Sequence, residues 1–179
     1  MTQAAATRRP GARFLLAHPA HLIALGFGSG LSPVAPGTVG TLWAWAAFLL
    51  LSPMLSTAAW GVVIAIGIAV GVWACCIAAR HLAAADPGAI VWDEVVAFWL
   101  VLWIAMPMGF AGQLAAFVLF RIFDTIKAGP VGWADRLVKW QPGEQPGWRH
   151  GLGIVFDDLV AAAMTLLVMA VVARVALAG

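Results

Sequence analysis

Charged residues appear abruptly at the end of an apolar stretch, between positions 120 and 136. Arg121, Asp124 and Lys127 follow one another there at intervals of three residues. Residues three apart are neighbours on a helix surface, so the spacing predicts a ladder of cation, anion and cation on or near one face. Such charges are costly on an apolar helix unless a function uses them. This ladder is the first candidate for a chemical site.

Two other segments each carry an acidic doublet. VWDEVVA at 91–97 and VFDDLVA at 155–161 are near copies of each other. One doublet has a structural explanation, because carboxylates are favoured at the N-terminus of a helix by its dipole. Two doublets together with the ladder favour a shared site. The candidate acids are then Asp93, Glu94, Asp124, Asp157 and Asp158.

A segment rich in glycine, GFGSGLSPVAPGTVGT at 26–41, lies in a long interval without charged residues. Its glycines and prolines predict an irregular backbone. Near a membrane, such backbone is tolerated only where it lines a polar cavity or lies outside the hydrocarbon. Its N–H groups and hydroxyls are of the kind that bind phosphate.

These groups together indicate a type of chemistry. Carboxylates gathered at one place repel each other unless a divalent cation neutralises them, and oxygen ligands suit Mg²⁺. Arg121, Lys127 and Arg136 supply positive charge beside them. Metal-binding carboxylates, cations and N–H donors are typical of phosphoryl chemistry. The residues therefore predict a metal-dependent phosphate site, and by themselves they go no further.

The composition indicates a membrane protein. Of 179 residues, 63% are hydrophobic and 10% are charged, whereas a soluble domain has about 25% charged residues. The net charge of +2 is too small to indicate a nucleic-acid partner, and the ten tryptophans suit interfacial anchoring. We predict a basic N-terminal arm at 1–13 and a single membrane-embedded domain at 14–179.

Apolar runs predict the helices that position these groups. The first two runs lie at 42–51 and 58–79. The third begins at the first doublet, breaks at 106–109 and resumes at 110–123. The last follows the second doublet to about Leu177. Only the run at 58–79 is clearly long enough to cross a bilayer. The prediction is an all-α integral membrane bundle with about four to five apolar helices. The loop at 128–150, with tryptophans among cations, is expected to lie on an anionic lipid surface.

The charge distribution predicts how these helices are arranged. Lys and Arg favour the cytoplasmic side of a membrane. If the arm at 8–13 and the loop at 121–149 lie inside, the segments 42–79 and 95–120 form hairpins. The glycine-rich segment, both doublets and the ladder then meet at one face.

Four blocks of the chain resemble the phosphatidylglycerophosphatase A family: GFGSGLSPVAPGTVGT (26–41), VWDEVVA (91–97), FRIFDTIKAGPVGWADR (120–136) and GLGIVFDDLVA (151–161). They occur in the order of the family and cover essentially the whole chain after the arm. The resemblance implies a Mg²⁺-dependent hydrolase of the bacterial inner membrane with its active site at the cytoplasmic face. It would convert the phospholipid phosphatidylglycerophosphate to phosphatidylglycerol and phosphate.

The resemblance also implies roles for residues. It assigns substrate binding to the glycine-rich segment and a cation, namely Ser29, Ser32, Pro33, Gly37, Thr38 and Arg136. It assigns the metal to Asp93, Glu94, Asp157 and Asp158, and catalysis to Arg121, Asp124 and Lys127. Asp124 is either a ligand or the base for the attacking water, and whether water or a carboxylate attacks first stays open. Departures from the family pattern at Ala97, Ala128 and His150 remove no charged group.

Other interpretations are open at this point. Intramembrane acids beside a glycine-rich segment also suit a small ion-coupled transporter, and a structural membrane subunit is a third class. Asp124 would then only neutralise Arg121 and Lys127 inside a bundle. The remaining acids are expected to be solvated and the histidines to be packing or surface residues: Asp86, Asp135, Glu144, His18, His21, His81 and His150.

Overall fold

The computed structural model describes residues 9–83, 87–127, 129–137 and 147–178, and these residues form helices and connecting turns without a strand. In chain order the elements are α1 (Ala12–Leu16), α2 (Pro19–Ala24), a 3₁₀ segment (Gly26–Leu31), α3 (Pro36–Leu51), α4 (Thr57–Leu82), α5 (Trp92–Ala105), α6 (Phe110–Ile126), α7 (Pro130–Leu137) and α8 (Trp148–Ala178). The all-α prediction is confirmed.

Helix α5 forms the middle of the bundle. Almost all of its residues from Trp92 to Leu102 are buried, and α3, α4 and α8 pack around it. Indole donors bind the neighbouring helices: Trp92 Nε1 donates to Gly67 O of α4, and Trp99 Nε1 donates to Ala44 O of α3, each at 2.9 Å. A buried tryptophan needs such a partner, so these bonds fix the position of α5 between the two helices.

Two helices in the described part of the chain are long and apolar enough to cross a membrane, α4 and α8. Helix α3 is apolar but shorter. These two helices indicate association with a membrane. They support only part of the prediction, which was a bundle of about four to five apolar membrane helices. Within α8, only 17% of the most apolar window is buried in the protein, so an apolar environment must cover the rest.

Two helix starts differ from the sequence prediction. Helix α3 begins at Pro36, inside the segment predicted to be irregular, because proline is well suited to the first position of a helix. Helix α8 begins at Trp148, before the second doublet. Asp157 and Asp158 therefore lie in its third turn, and the helix dipole does not explain them. The loop predicted at 128–150 contains α7, and its residues 128 and 138–146 lie outside the described residues.

The short helices α1 and α2 pack at the C-terminal end of α4. His21 is buried, its ring stacks on Phe14 with centroids 3.9 Å apart, and its Nε2 lies 2.7 Å from Nδ1 of His81. Burial lowers the pKa of His21, since it disfavours the charged ring. His18 caps α2 by accepting from the N–H of Ala20. These three histidines have packing roles here, as predicted.

Three other parts of the prediction lie outside the described residues: Asp86, Glu144 and residues 1–8 of the arm.

Candidate active site

A cavity of about 530 Å³ lies where α3 and α5 begin, α6 ends and α7 and α8 pass. Its walls carry most of the charged residues selected from the sequence. The lining residues are Ala35, Pro36, Gly37, Thr38, Gly88, Ile90, Asp93, Glu94, Arg121, Asp124, Thr125, Lys127, Asp135, His150, Gly153, Ile154, Asp157 and Asp158. The two doublets, the ladder and the end of the glycine-rich segment thus meet at one place.

Three buried carboxylates form the deepest part of this site. Asp93, Glu94 and Asp158 each bring one oxygen within 4.8 Å of the others. One oxygen of each carboxyl group (Oδ1, Oε2 and Oδ2 respectively) is buried without a hydrogen-bond partner in the part of the chain that the structure describes. A buried polar atom without a partner is unfavourable, so these three oxygens are available to bind a ligand such as a metal ion.

The cost of this cluster shows why a counter-charge is needed. Charges about 5 Å apart repel by about 3 kcal/mol at an effective dielectric constant of about 20. Without a cation, buried acids relieve much of this repulsion by taking up protons, so only a small part of it remains as lost stability. A divalent cation removes this repulsion, and an all-oxygen donor set fits Mg²⁺. The three carboxylates therefore fit the expected metal.

Asp157 lies against Lys127 and not in this cluster. Nζ of Lys127 is 2.5 Å from Oδ2 of Asp157 and 2.8 Å from Oδ1 of Asp135. Burial by itself lowers the pKa of Lys127, but the hydrogen bonds to Asp135 and Asp157 outweigh it and raise the pKa above its ordinary value. The ammonium group therefore stays charged at the edge of the cavity, and α6, α7 and α8 are joined through it.

Arg121 connects the acid cluster to α3. Its Nη1 lies 2.7 Å from Oδ2 of Asp124 and 3.6 Å from Oε1 of Glu94, and it donates to Oγ1 of Thr41 at 3.3 Å. The ion pair with Asp124 joins residues i and i+3, as the ladder predicted. The guanidinium group is thus held beside the carboxylates and faces the same cavity.

The N-terminus of α3 forms the wall opposite the acids. Ala35, the N-cap residue, has a left-handed backbone (φ 45°), and no side chain caps the helix. The first-turn N–H groups of Gly37 and Thr38 have no acceptor within the helix, and both residues line the cavity. A helix N-terminus with free N–H groups favours an anion.

Because Gly37 has no side chain, the N-terminus of α3 can lie close to Glu94 and Arg121. A Cβ atom at this position would collide with Oε1 of Glu94 and would crowd the guanidinium of Arg121. The glycine is therefore needed for the close approach of α3 to α5 and α6.

We expect Gly37→Ala to lower kcat/KM for phosphate release by about 100-fold, because a shift of about 1 Å in catalytic groups has an effect of this size. The matched control is Gly109→Ala, since a Cβ there meets nothing within 4 Å. Steady-state kinetics of both variants test this expectation. Equal activity of the two variants would show that the contact with Glu94 does not matter.

Several residues predicted to bind substrate lie elsewhere. Ser29 Oγ donates to Gly26 O, and Ser32 Oγ donates to Val34 O, so both hydroxyls serve the local turn. Neither they nor Pro33 line the cavity, and Arg136 is exposed on α7 outside it. Of the predicted substrate-binding set, the structure brings Gly37 and Thr38 to the cavity.

Sequence reasoning assigns no role in the site to three polar lining residues, Thr125, Asp135 and His150. Asp135 is expected to be a solvated acid, but it pairs with Lys127. His150 is buried in the first turn of α8, and Thr125 lies between Asp124 and Ile126 on α6. Asp135 could have been predicted as a site residue from the sequence WADR (133–136), because it follows the ladder closely. Carboxylates that can hold a metal ion, cations and a helix N-terminus around one cavity are groups that can together bind a phosphate.

Comparison with known proteins identifies the family. The family model described as Phosphatidylglycerophosphatase A matches residues 22–173. The chain is 38% identical over 153 residues to phosphatidylglycerophosphatase A of Escherichia coli K12 (86% of this chain, 83% of that protein). It is 33% identical over 160 residues to the enzyme of the same name from Haemophilus influenzae Rd (89% and 92%). The chain belongs to the phosphatidylglycerophosphatase A family and is a phosphatase.

A third relative carries a different name. A protein of Bacteroides thetaiotaomicron with the provisional name phosphatidylinositol-3-phosphatase is 36% identical over 163 residues, which cover 84% of this chain and 91% of that protein. No solved structure gives a significant match.

Proposed function

We propose that this protein hydrolyses the terminal phosphate monoester of phosphatidylglycerophosphate with the help of Mg²⁺, giving phosphatidylglycerol and phosphate. The observation that carries the proposal is the convergence of the cluster Asp93, Glu94 and Asp158 with Arg121 and the α3 N-terminus on one cavity. Membership of the family supports the lipid substrate.

Asp93, Glu94 and Asp158 would hold the metal ion, since their unpartnered oxygens are the donors that Mg²⁺ prefers. When bound, the ion supplies positive charge and Lewis acidity to the phosphate oxygens. The family resemblance implies Asp157 as a fourth ligand. Its contact with Lys127 supports a different role, in which it fixes the ammonium beside the substrate.

The phosphate would lie between the α3 N-terminus and the two cations. Gly37 and Thr38 offer first-turn N–H groups, and Arg121 and Lys127 offer charged donors. These groups would offset the charge on the equatorial oxygens of the transferring phosphoryl group, which is the main catalytic requirement of phosphoryl transfer.

In the reaction, a water oxygen forms a bond to phosphorus while the bond from phosphorus to the glycerol oxygen breaks. The proton of the attacking water passes to a carboxylate, and the departing glycerol oxygen takes up a proton to become the hydroxyl of the product. Asp124 lines the cavity beside Arg121 and is our candidate for the base. The configuration at phosphorus in a substrate with an isotopically chiral thiophosphate tests the route, because direct attack by water inverts it and two displacements through a phosphorylated carboxylate retain it.

We place the bundle in the bacterial inner membrane, with four to five apolar helices embedded and the cavity at the cytoplasmic face. The cavity end carries Arg80 and His81 at the end of α4 and Trp148 and Arg149 at the start of α8. Basic residues and tryptophan at one end of apolar helices suit the cytoplasmic interface. Accessibility of cysteine variants to a membrane-impermeant reagent from either side tests this orientation.

The activity test measures phosphate release from phosphatidylglycerophosphate by purified protein in detergent, with Mg²⁺ and with EDTA. We expect release with Mg²⁺ and none with EDTA. Phosphatidylinositol 3-phosphate serves as the competing substrate, because one relative carries that name. Solute uptake by sealed vesicles without any phosphate release would instead support the transporter.

Asp135→Asn should lower kcat by about tenfold, because it removes one of two charged hydrogen bonds that hold Lys127, each of the order of 1.5–3 kcal/mol. Asp135→Glu should restore most of the activity. In a Lys127→Gln background the Asp135→Asn change should have little further effect, as expected for residues that act through one group. Additive losses in the double variant would contradict this coupling.

A further inference from the structure

Helices α3 and α6 lie side by side but are joined through long side chains and not through close backbone packing. Trp45 Nε1 donates to Oε1 of Gln113 at 2.6 Å, and the Trp45 ring stacks on Phe117 with centroids 5.8 Å apart. Nearer the cavity, Arg121 reaches Thr41. We name this junction, floored by Trp45 and Phe117, the α3–α6 seam.

The edges of the α3–α6 seam are apolar and exposed. On α6, large apolar residues recur at every fourth position and each is 43–71% exposed: Phe110, Leu114, Val118, Ile122 and Ile126. On α3, Leu42 and Leu49 are 46% and 47% exposed. Each step of four residues turns by about 40° around the helix, so Phe110, Leu114 and Val118 lie nearest to Phe117 and the seam, whereas Ile122 and Ile126 turn away from it.

The seam is continuous with the cavity. Thr38 on α3 and Thr125 on α6 both line the cavity. Leu42 lies one helical turn beyond Thr38, and Val118 lies two turns before Thr125. The apolar edges therefore begin where the polar cavity ends, on both helices.

We infer that the α3–α6 seam binds the acyl chains of the phospholipid substrate while its terminal phosphate occupies the cavity. This inference rests on the proposed function. From Phe110 to Val118, the part of α6 beyond the cavity, the helix axis runs about 12 Å, which is similar to the depth of one leaflet, about 15 Å, or half of a ~30 Å hydrocarbon core. A lipid that enters sideways from the membrane can thus place its phosphate and chains at once.

Contact with membrane lipids in general explains exposed apolar residues on the outer helix faces, such as Val62 and Ile66 of α4. The seam differs because it is continuous with a cavity that Arg121 and Lys127 line. A lipid with a phosphate monoester headgroup matches both parts, since its charge complements Arg121 and Lys127 and its chains complement the apolar edges.

The test compares the seam variant Leu42→Asn/Val118→Asn with the control Val62→Asn/Ile66→Asn, whose positions are each 58% exposed. Both are assayed with dioleoyl phosphatidylglycerophosphate and with its deacylated, water-soluble headgroup. The measured quantity is the ratio of kcat/KM for the diacyl substrate to kcat/KM for the headgroup. We expect this ratio to fall about tenfold in the seam variant through loss of apolar contact and to keep its wild-type value in the control.

A photoreactive diazirine in the acyl chain of a non-hydrolysable phosphonate analogue provides a second measurement. Crosslinks should map to α3 and α6, and phosphatidylglycerophosphate should compete for them. Equal ratios in both variants, or crosslinks spread over α4, would overturn the inference in favour of bulk lipid, and crosslinks joining two copies would overturn it in favour of a dimer. Failure of the wild-type protein to hydrolyse either substrate would reject the proposed function itself.

Discussion

Asp158→Asn is expected to lower kcat/KM for phosphate release by at least about 1,000-fold, because it removes one charged ligand from the proposed three-carboxylate metal site. Asp158 is 3% exposed, and its Oδ2 has no hydrogen-bond partner among the described residues. Phosphate release in detergent at several Mg²⁺ concentrations measures the loss. Release equal to the wild type would move the metal away from Asp158.

The same substitution should have the opposite effect on stability without metal. The asparagine side chain carries no charge, so the repulsion within the cluster falls and the apparent Tm in EDTA should rise by a few degrees, roughly as expected for about 1 kcal/mol. The rise in Tm that Mg²⁺ produces in the wild type should disappear, because that rise comes from binding to the folded state.

Asp157→Asn is the matched comparison, since it changes the adjacent acid on the same helix. The Asp157 carboxylate contacts Lys127, so this variant should lose activity but keep the Mg²⁺-dependent rise in Tm. Loss of the Mg²⁺ response in Asp157→Asn as well would return Asp157 to the metal site.

The different roles of Asp157 and Asp158 could not be predicted from the sequence of the second doublet alone. Successive residues on a helix point about 100° apart, so adjacent acids need not reach the same place: Asp93 and Glu94 both reach the carboxylate cluster, whereas of the second doublet only Asp158 does. Which acid of α8 faces the metal depends on the rotation of α8 against α5, and that rotation is set by packing contacts. The first doublet was easier to place, because Asp93 and Glu94 do lie in the first turn of α5.

Glycines caused the main errors in the predicted helix boundaries. Gly37 and Gly40 suggested irregular backbone, but both lie inside α3 at points of close approach, and Gly151 lies at another such point inside α8. A Cβ at Gly40 would crowd Val91, and one at Gly151 would collide with the carbonyl oxygen of Val72. The local preference of glycine for irregular backbone is lost when tight helix packing requires the absence of a side chain.

The apolar runs were the more predictable part of the fold. The run at 58–79 lies within α4, and the break at 106–109 separates α5 from α6. The hydroxyls were not predictable, because Ser29 and Ser32 bind their own backbone, as serine often does in turns. Composition cannot tell a hydroxyl that serves the turn from one that faces a ligand.

Arg121→Gln should lower kcat/KM by about 1,000-fold, a typical effect of removing a donor that stabilises phosphoryl charge. It should also lower the free energy of unfolding by about 3 kcal/mol, because it leaves Asp124 and Glu94 without their buried partner. Denaturant unfolding in detergent and steady-state kinetics measure the two effects. Arg13→Gln, at an exposed position of α1, is the control and should change neither.

The double variant Arg121→Gln/Asp124→Asn separates the two possible roles of the ladder. Removing both charges replaces a broken ion pair by neutral hydrogen-bonding groups, so most of the lost stability should return. If Arg121 and Asp124 act on the substrate, activity should stay at least about 1,000-fold below wild type despite restored stability. If the pair only neutralises itself inside the bundle, activity should return with the stability. A stable but inactive double variant is the expected result, because Arg121, Asp124 and the α3 N-terminus face one cavity.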